Sequence, residues 1–320
     1  MSATPSLPPG DSLDVDGVLG LYACAITTVG SFYESVAHAD VPSIVPIKRV
    51  AERLASATAS GSPLLRAILT LAVARRDLPA RAVQSAVLAL LVAREVSDNR
   101  TALSRLAEAA LMADSGSVLL ARSTGGSLPD RLQAEVPAKT ATVCLTASGA
   151  TPDLAQVRTT TAFEVAWLER SALLGPLKSS AMGPLLGARL IVMVRALLSR
   201  IAPQGGEPGL SPPDALRSVA QKPGSDPVLV RLLVAAIGAV PVGTVVELDT
   251  GEWAVVAAPP ADPTRMDQPR IRVVTDTKGR AREQLVELDL AVGPRGSLPS
   301  IQRIVPPGKA RFNVAAALFV

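Results

Sequence analysis

The sequence predicts a mainly α protein, a multi-helix bundle followed by a small C-terminal β-hairpin or β-sheet appendage. Of its 320 residues 48% are hydrophobic but only 2% are aromatic, so Ala, Leu, Val and Ile must fill the core. Stretches rich in Ala and Leu favour helix, and here their apolar residues recur at helical spacing. After Pro241 the pattern changes to short β-branched runs, which are typical of strands.

The helical patterns begin behind a Pro- and Ser-rich stretch, where Asp14 and Asp16 suit a helix N-terminus. Short turns rich in Gly, Ser, Asp and Pro separate the helices that follow, as expected for helices packed as neighbours. Residues 123–138 contain two glycines and two prolines and are predicted as a loop. The predicted helices cover about residues 18–33, 47–60, 63–76, 79–96, 100–113, 139–148, 161–174, 184–201, 213–220 and 227–238.

The β part is predicted from two pairs of β-branched runs. Residues 244–248 and 253–257 flank the turn sequence Asp249-Thr250-Gly251-Glu252, and residues 271–275 and 284–288 form a second pair. The predicted organisation is a flexible N-terminal tail (1–13), a helical domain (14–238) with a Pro/Gly-rich segment (203–226), a small β region (239–290) and a C-terminal tail (291–320).

Composition limits the classes of function. The net charge is +4 and the pI about 9.4, but the arginines are spread along the chain and aromatic residues are few, which gives little support to nucleic-acid binding. Two cysteines, Cys24 and Cys144, form neither a disulfide framework nor a zinc site. The N-terminus has no signal-peptide pattern and the apolar runs are too short to span a bilayer. A soluble, cytoplasmic protein with no membrane partner is therefore expected.

Four segments between residues 80 and 255 form a recognisable series. A long apolar helix and a polar turn at 97–100 lead to a second helix that ends in Asp114-Ser115-Gly116. Trp167–Leu177, Gly187–Arg195 and the hairpin sequence Pro241-Val242-Gly243-Thr244 follow. In this order the segments resemble the HD-GYP family, whose active members hydrolyse the second messenger cyclic di-GMP. The resemblance covers a little over half of the chain and implies an HD-like helical bundle and a role in bacterial signalling.

The same comparison places other residues where the family has its metal ligands. Ala113 stands at the histidine of the His-Asp pair, leaving only Asp114, and Arg195 stands at a ligand aspartate. Glu169 matches the family, but the histidines before it do not, and the single histidine, His38, lies far upstream. One carboxylate is too few for a hydrolytic metal cluster, which needs several imidazoles and carboxylates. The resemblance thus implies a non-catalytic member without metal or cofactor, whose pocket remnant comprises Asp114, Glu169, Arg189 and Arg195.

These residues also have structural interpretations. Asp114 is either part of the remnant, where Arg195 could neutralise it as an internal ion pair, or a helix-end cap or turn residue. Arg189 and Arg195 either face a phosphate group or are solvated or paired with acids, as arginines on amphipathic helices commonly are.

Three further patterns have a structural interpretation that outweighs the chemical one. Asp14–Leu19 resembles the Asp-x-Asp-Gly motif of haloacid-dehalogenase-type phosphatases, but that chemistry needs a preceding strand and a helix start fits better. Glu34, His38 and Asp40 suggest a metal site on paper, although a lone histidine near acids is usually a surface or helix-end residue. Trp253 is predicted to pack the hairpin onto the helical body, with a partner-binding anchor as the alternative.

The sequence therefore predicts a non-catalytic, HD-GYP-like signalling or scaffold protein. Its expected ligand is a protein partner, because a catalytic fold is often kept as an interaction platform, with cyclic di-GMP bound without hydrolysis as a further hypothesis. The alternative is an enzyme: a diverged metal-dependent phosphodiesterase or phosphohydrolase acting on cyclic di-GMP or another phosphoester, or a hydrolase that uses the N-terminal aspartates.

Overall fold

A computed structural model describes residues 15–59, 77–122, 124–125, 128–149, 152–177, 183–203, 209–260, 262–265, 267–292, 298–306, 309–310 and 312–319. The chain divides into two compact units. The first comprises Met1–Ser62, Leu78–Leu90 and Ser97–Val192, and the second comprises Pro63–Asp77, Leu91–Val96 and Met193–Val320. The boundary at 192/193 lies inside the region that the sequence assigned to one helical domain, 14–238.

The described residues are mostly helical and end in a small antiparallel sheet, so the predicted mainly α class with a C-terminal β appendage is confirmed. The helices are α1 (Val15–His38), α2 (Val45–Ala59), α3 (Leu78–Ala93), α4 (Arg100–Met112), α5 (Ser115–Arg122), α6 (Val136–Ser148), α7 (Pro152–Leu168), α8 (Ser171–Leu174), α9 (Leu186–Ile201), α10 (Pro212–Ala220), α11 (Pro227–Ile237) and α12 (Val314–Phe319).

Capping residues explain where several of these helices begin. The side chain of Asn99 accepts a hydrogen bond of 3.0 Å from the N–H of Ala102 at the start of α4. Ser211 caps α10 and Asp226 caps α11, each followed by a proline in the first turn. A side-chain acceptor at the N-cap satisfies a backbone N–H that has no partner within the helix, and proline is tolerated directly after it.

Small residues let the helices of the first unit pack closely. Helix α4 packs against α2 and α7, and α6 packs against α5 and α7. Gly116, in the first turn of α5, lies so near α6 that a Cβ atom would come within 2.4 Å of the Thr140 hydroxyl and of the Val136 carbonyl oxygen. Any larger residue at position 116 would force α5 and α6 apart.

The second unit contains a sheet of five strands in the described residues, with the order β4-β3-β2-β1-β5 and antiparallel neighbours. The turn between β1 and β2 contains Gly251 at φ 84°, and its N–H donates to the carbonyl oxygen of Leu248. This left-handed conformation explains the glycine in the predicted hairpin. The strands are β1 (Val245–Leu248), β2 (Trp253–Ala258), β3 (Arg270–Thr275), β4 (Ala281–Asp289) and β5 (Ile301–Ile304).

Both faces of the sheet are covered. One carries Val246, Ala254 and Val256, whereas the other carries Val245 and Val255 together with Ala317 and Leu318 of α12. Trp253 is partly buried against this second cluster, which combines residues of the sheet with α12.

Several local predictions were wrong. Asp130–Glu135 form a 3-10 helix and α6 already begins at Val136, inside the predicted loop. The predicted helix 161–174 is two helices, α7 from Pro152 and the short α8, which is followed by Gly175 with φ 76°. Strand β5 and helix α12 lie in the stretch predicted as a tail, and β5 pairs with β1. The predicted helix 63–76 lies outside the described residues.

Candidate functional site

The four residues of the predicted remnant occupy different environments. Asp114 is buried in the turn directly before α5, and its carbonyl oxygen accepts a hydrogen bond of 3.0 Å from Val118, as at a helix start. Glu169 is exposed behind the end of α7. Arg189 is half-buried in the part of α9 that belongs to the first unit, and Arg195 is buried in the part that belongs to the second.

Side chains at or beside the positions that the HD-GYP resemblance matches to metal ligands are engaged inside the first unit. Gln84, near the position that the resemblance matches to the family's first ligand histidine, donates to the Tyr22 hydroxyl at 2.8 Å. Trp167, which the resemblance matches to one of the two histidines that precede the family's Glu-Arg, donates from Nε1 to the carbonyl oxygen of Gly175 at 3.2 Å. The guanidinium of Arg170 donates to Gln133, Ser117 and the carbonyl oxygen of Ala166. These bonds connect helices and turns to one another.

The structure places the two other acidic patterns at the two ends of helix α1. Asp16 lies in the first turn of α1, as the helix-start interpretation expects, and Asp14 lies outside the described residues. His38 is exposed in the last turn of α1, and its Nδ1 lies 2.7 Å from the carbonyl oxygen of Glu34. Among the described residues, no group of three or more His, Cys, Asp or Glu side chains is arranged to hold a metal ion.

An open pocket of about 350 Å³ lies in the first unit between helices α2, α4 and α7. Sequence reasoning did not find it, because its residues come from three helices and lie up to 110 positions apart. The available signal was the four-residue spacing of polar side chains on α2 and α4, which places them on one face of each helix. The lining residues are Lys48, Glu52, Arg100, Thr101, Ser104, Arg105, Glu108 and Arg158.

A buried ion pair forms one wall of this pocket. The guanidinium of Arg158 on α7 bonds the carboxylate of Glu108 on α4, and their side chains are only 2% and 6% exposed. Nη2 of Arg158 also donates to the Ser148 hydroxyl at 2.6 Å, while its Nε has no hydrogen-bond partner within the described part of the chain. Buried charges need such partners, since desolvation costs several kcal/mol per ion.

Cys144 is connected to this ion pair through Ser148. Its carbonyl oxygen accepts the hydrogen bond of the Ser148 hydroxyl, and its thiol is fully buried. Burial raises the pKa of the Cys144 thiol from an ordinary 9.0 to about 12, against the opposing influence of the positive charge on Arg158. A thiol that stays protonated is a poor nucleophile, so Cys144 is a core residue at neutral pH.

The remaining charges of the pocket are mainly positive. Arg158 and Glu108 neutralise each other. The other charged residues of the lining are three cations, Lys48, Arg100 and Arg105, and one carboxylate, Glu52. In the described structure none of these three cations forms an ion pair. Arg100 also begins α4, at the positive end of the helix dipole, where the Asn99 side chain already accepts from the N–H of Ala102.

Ser104 adds a neutral donor on the same wall. It lies one turn after Arg100 on α4, lines the pocket and is only 9% exposed. Its hydroxyl makes no hydrogen bond to any residue that the structure describes. The pocket therefore combines three cations with a hydroxyl that makes no hydrogen bond within the described residues.

Comparison of the chain with known proteins finds no matching family model, no similar curated protein and no similar solved structure. Among the described helices, none has the length and apolarity needed to cross a bilayer. Any inference about function therefore depends on the geometry and chemistry of the described residues.

Proposed function

We propose that this chain is a non-catalytic, HD-GYP-like signalling or scaffold protein with an HD-like helical bundle. One observation carries the proposal: residues at or beside positions matched to metal ligands are engaged in the internal structure. Gln84 and Trp167 donate hydrogen bonds to other elements of the first unit, and Ala113 is buried without a ligating group. A di- or trinuclear hydrolytic site needs imidazoles and carboxylates at such positions.

Arg195 contributes a second argument. The resemblance equates it with a ligand aspartate, and the residue is only 5% exposed in α9. A guanidinium stays protonated at any physiological pH, so it repels a cation where a carboxylate would bind one. Cyclic di-GMP bound without turnover is the nucleotide ligand that this substitution favours, because Arg195 could then pair with a phosphate.

Support for a protein partner comes from exposed apolar side chains of the first unit. Val41 is 73% exposed, and Val45 and Leu145 are also exposed. The N–H of Ile44 donates to the carbonyl oxygen of Ala147 at 3.3 Å, which places the α1–α2 connection at the C-terminal end of α6. Neighbouring apolar side chains in water are typical of protein contact sites.

The catalytic part of the proposal is tested by incubating the protein with cyclic di-GMP and Mn²⁺ or Fe²⁺ and following the linear product by chromatography. The proposal expects no turnover, and turnover that scales with enzyme concentration would support the diverged phosphodiesterase instead. Binding is measured separately by calorimetry. If Arg195 holds the nucleotide, Arg195→Ala abolishes binding, whereas Arg195→Lys, which keeps the buried charge, retains part of it. Unchanged affinity in Arg195→Ala would rule out Arg195 and the predicted remnant as the nucleotide site.

The protein-partner part needs a surface variant with a matched control. Val41→Glu places a charge in the exposed patch, and Val228→Glu makes the same change at an exposed position of the second unit. A protein captured by the wild type and by Val228→Glu, but not by Val41→Glu, would support the patch as the contact site. Equal capture by both variants would argue against it.

A further inference from the structure

We infer that the pocket between α2, α4 and α7 binds a small molecule through a phosphate group. The inference does not rest on the proposed function, because Asp114, Glu169, Arg189 and Arg195 are absent from the pocket lining. It rests on the surplus of positive charge, on the N-terminus of α4 and on Ser104, a largely buried residue of the pocket wall whose hydroxyl makes no hydrogen bond within the described residues.

The charged side chains around the pocket favour an anionic ligand. Lys48 and Arg105 are half-buried at the pocket while Arg100 is exposed at its rim, and none has an acidic partner in the described structure. Three unpaired cations near one helix N-terminus favour a ligand with at least two negative charges. The carboxylate of Glu52 reduces this field without reversing it.

Hydrogen-bonding geometry favours a tetrahedral oxyanion such as phosphate over a carboxylate. Arg100 and Ser104 are one turn apart on α4, as are Thr101 and Arg105, so the four side chains lie side by side on the pocket wall. A tetrahedral oxyanion can accept bonds from guanidinium groups, a hydroxyl and the backbone N–H groups of a helix start at once. A planar carboxylate has only two oxygens for these donors.

The ion pair between Arg158 and Glu108 connects two of the helices that line the site. Because this pair joins α4 to α7, it holds the wall that carries Ser104 in place without using the charges that face the ligand. The volume of about 350 Å³ lies at the lower end of the range for small-molecule sites. A phosphate group with a compact organic part fits this space.

The test uses the full-length protein and inorganic pyrophosphate in calorimetry at low ionic strength, with sulfate as the comparison anion. We expect one pyrophosphate per chain and weaker binding of sulfate. Arg105→Gln and Ser104→Ala should each weaken the affinity by about tenfold or more, the value of one hydrogen bond to a charged group. Arg53→Gln, which removes an exposed positive charge of α2 that does not line the pocket, should leave the affinity within about twofold.

Three results would overturn the inference: no saturable pyrophosphate binding, equal affinity for sulfate, or an equal loss in Arg53→Gln and Arg105→Gln. The last result would mean that net charge alone attracts the anion. Lys48→Gln serves as a second pocket variant if Arg105→Gln unfolds at a lower temperature than the wild type. Because these assays contain neither cyclic di-GMP nor a metal, their outcome is independent of the tests on Arg195.

Discussion

Removal of one member of the buried ion pair should strongly destabilise the protein. In Arg158→Met the carboxylate of Glu108 loses its cation while its side chain remains only 6% exposed, and the Ser148 hydroxyl loses a donor. An uncompensated buried charge costs about 3–5 kcal/mol of unfolding free energy. We therefore expect Arg158→Met to shift the urea midpoint, followed by circular dichroism at pH 7, by an amount that corresponds to this range.

The double variant Glu108→Leu/Arg158→Met separates the charge from the packing. Replacing both partners with apolar residues removes the buried charge altogether, so its stability should return to within about 1 kcal/mol of the wild type. A matched control is Arg217→Met, because the pair of Arg217 and Asp214 is 62% and 45% exposed, and such pairs contribute at most about 1 kcal/mol. If Arg158→Met costs no more than Arg217→Met, the pair is not buried as described.

Three further predictions concern other parts of the first unit. Gly116→Ala should cost about 1–3 kcal/mol, because its Cβ would lie 2.4 Å from the Thr140 hydroxyl, and this is measured by urea unfolding. Asn99→Ala should cost about 1 kcal/mol by thermal melting, since it removes the acceptor for the N–H of Ala102 at the N-cap of α4. The thiol of Cys144 has a pKa of about 12 when folded and 9.0 ordinarily, so between these values the unfolded chain binds fewer protons. The contribution of Cys144 to stability is complete below about pH 9 and falls towards pH 12, by up to about 1.4 kcal/mol per pH unit, and Cys144→Ala should flatten this part of the unfolding profile.

Each of these predictions has a defined contradiction. Gly116→Ala with wild-type stability would mean that α5 and α6 are farther apart than described. Asn99→Asp retains a capping oxygen and should stay near the wild type, so equal losses in Asn99→Asp and Asn99→Ala would argue against the cap. The same alkaline slope in the wild type and in Cys144→Ala would assign the slope to other groups that titrate there.

Periodicity was sufficient to predict most helices and four of the strands, because their signals are local. The helix 100–113 was bounded well since Asn99 is a good cap and the apolar residues of α4 repeat at helical spacing. The start of α7 was missed because residues 156–160 are polar or β-branched, yet Arg158 and Thr159 are buried by packing in the folded unit. Tertiary packing here overrides weak local propensity.

The pocket between α2, α4 and α7 could not be predicted from the sequence for a similar reason. Glu108 and Arg158 are fifty positions apart, and only the packing of α4 on α7 brings them together. Strand β5 was missed because its pairing with β1 is equally non-local and its four residues carry no strong alternation. The predicted remnant depends on a resemblance and not on local physics, so its role remains a prediction.

The measurement that tests the central claim most directly is elemental analysis of the purified protein for iron, manganese and zinc, with protein concentration determined in the same sample. A non-catalytic protein with Ala113 and Arg195 at ligand positions should contain far less than one metal ion per chain after dialysis. Stoichiometric metal that survives dialysis and is lost in Asp114→Ala would contradict the account, because the ligand positions would then have been matched to the wrong residues.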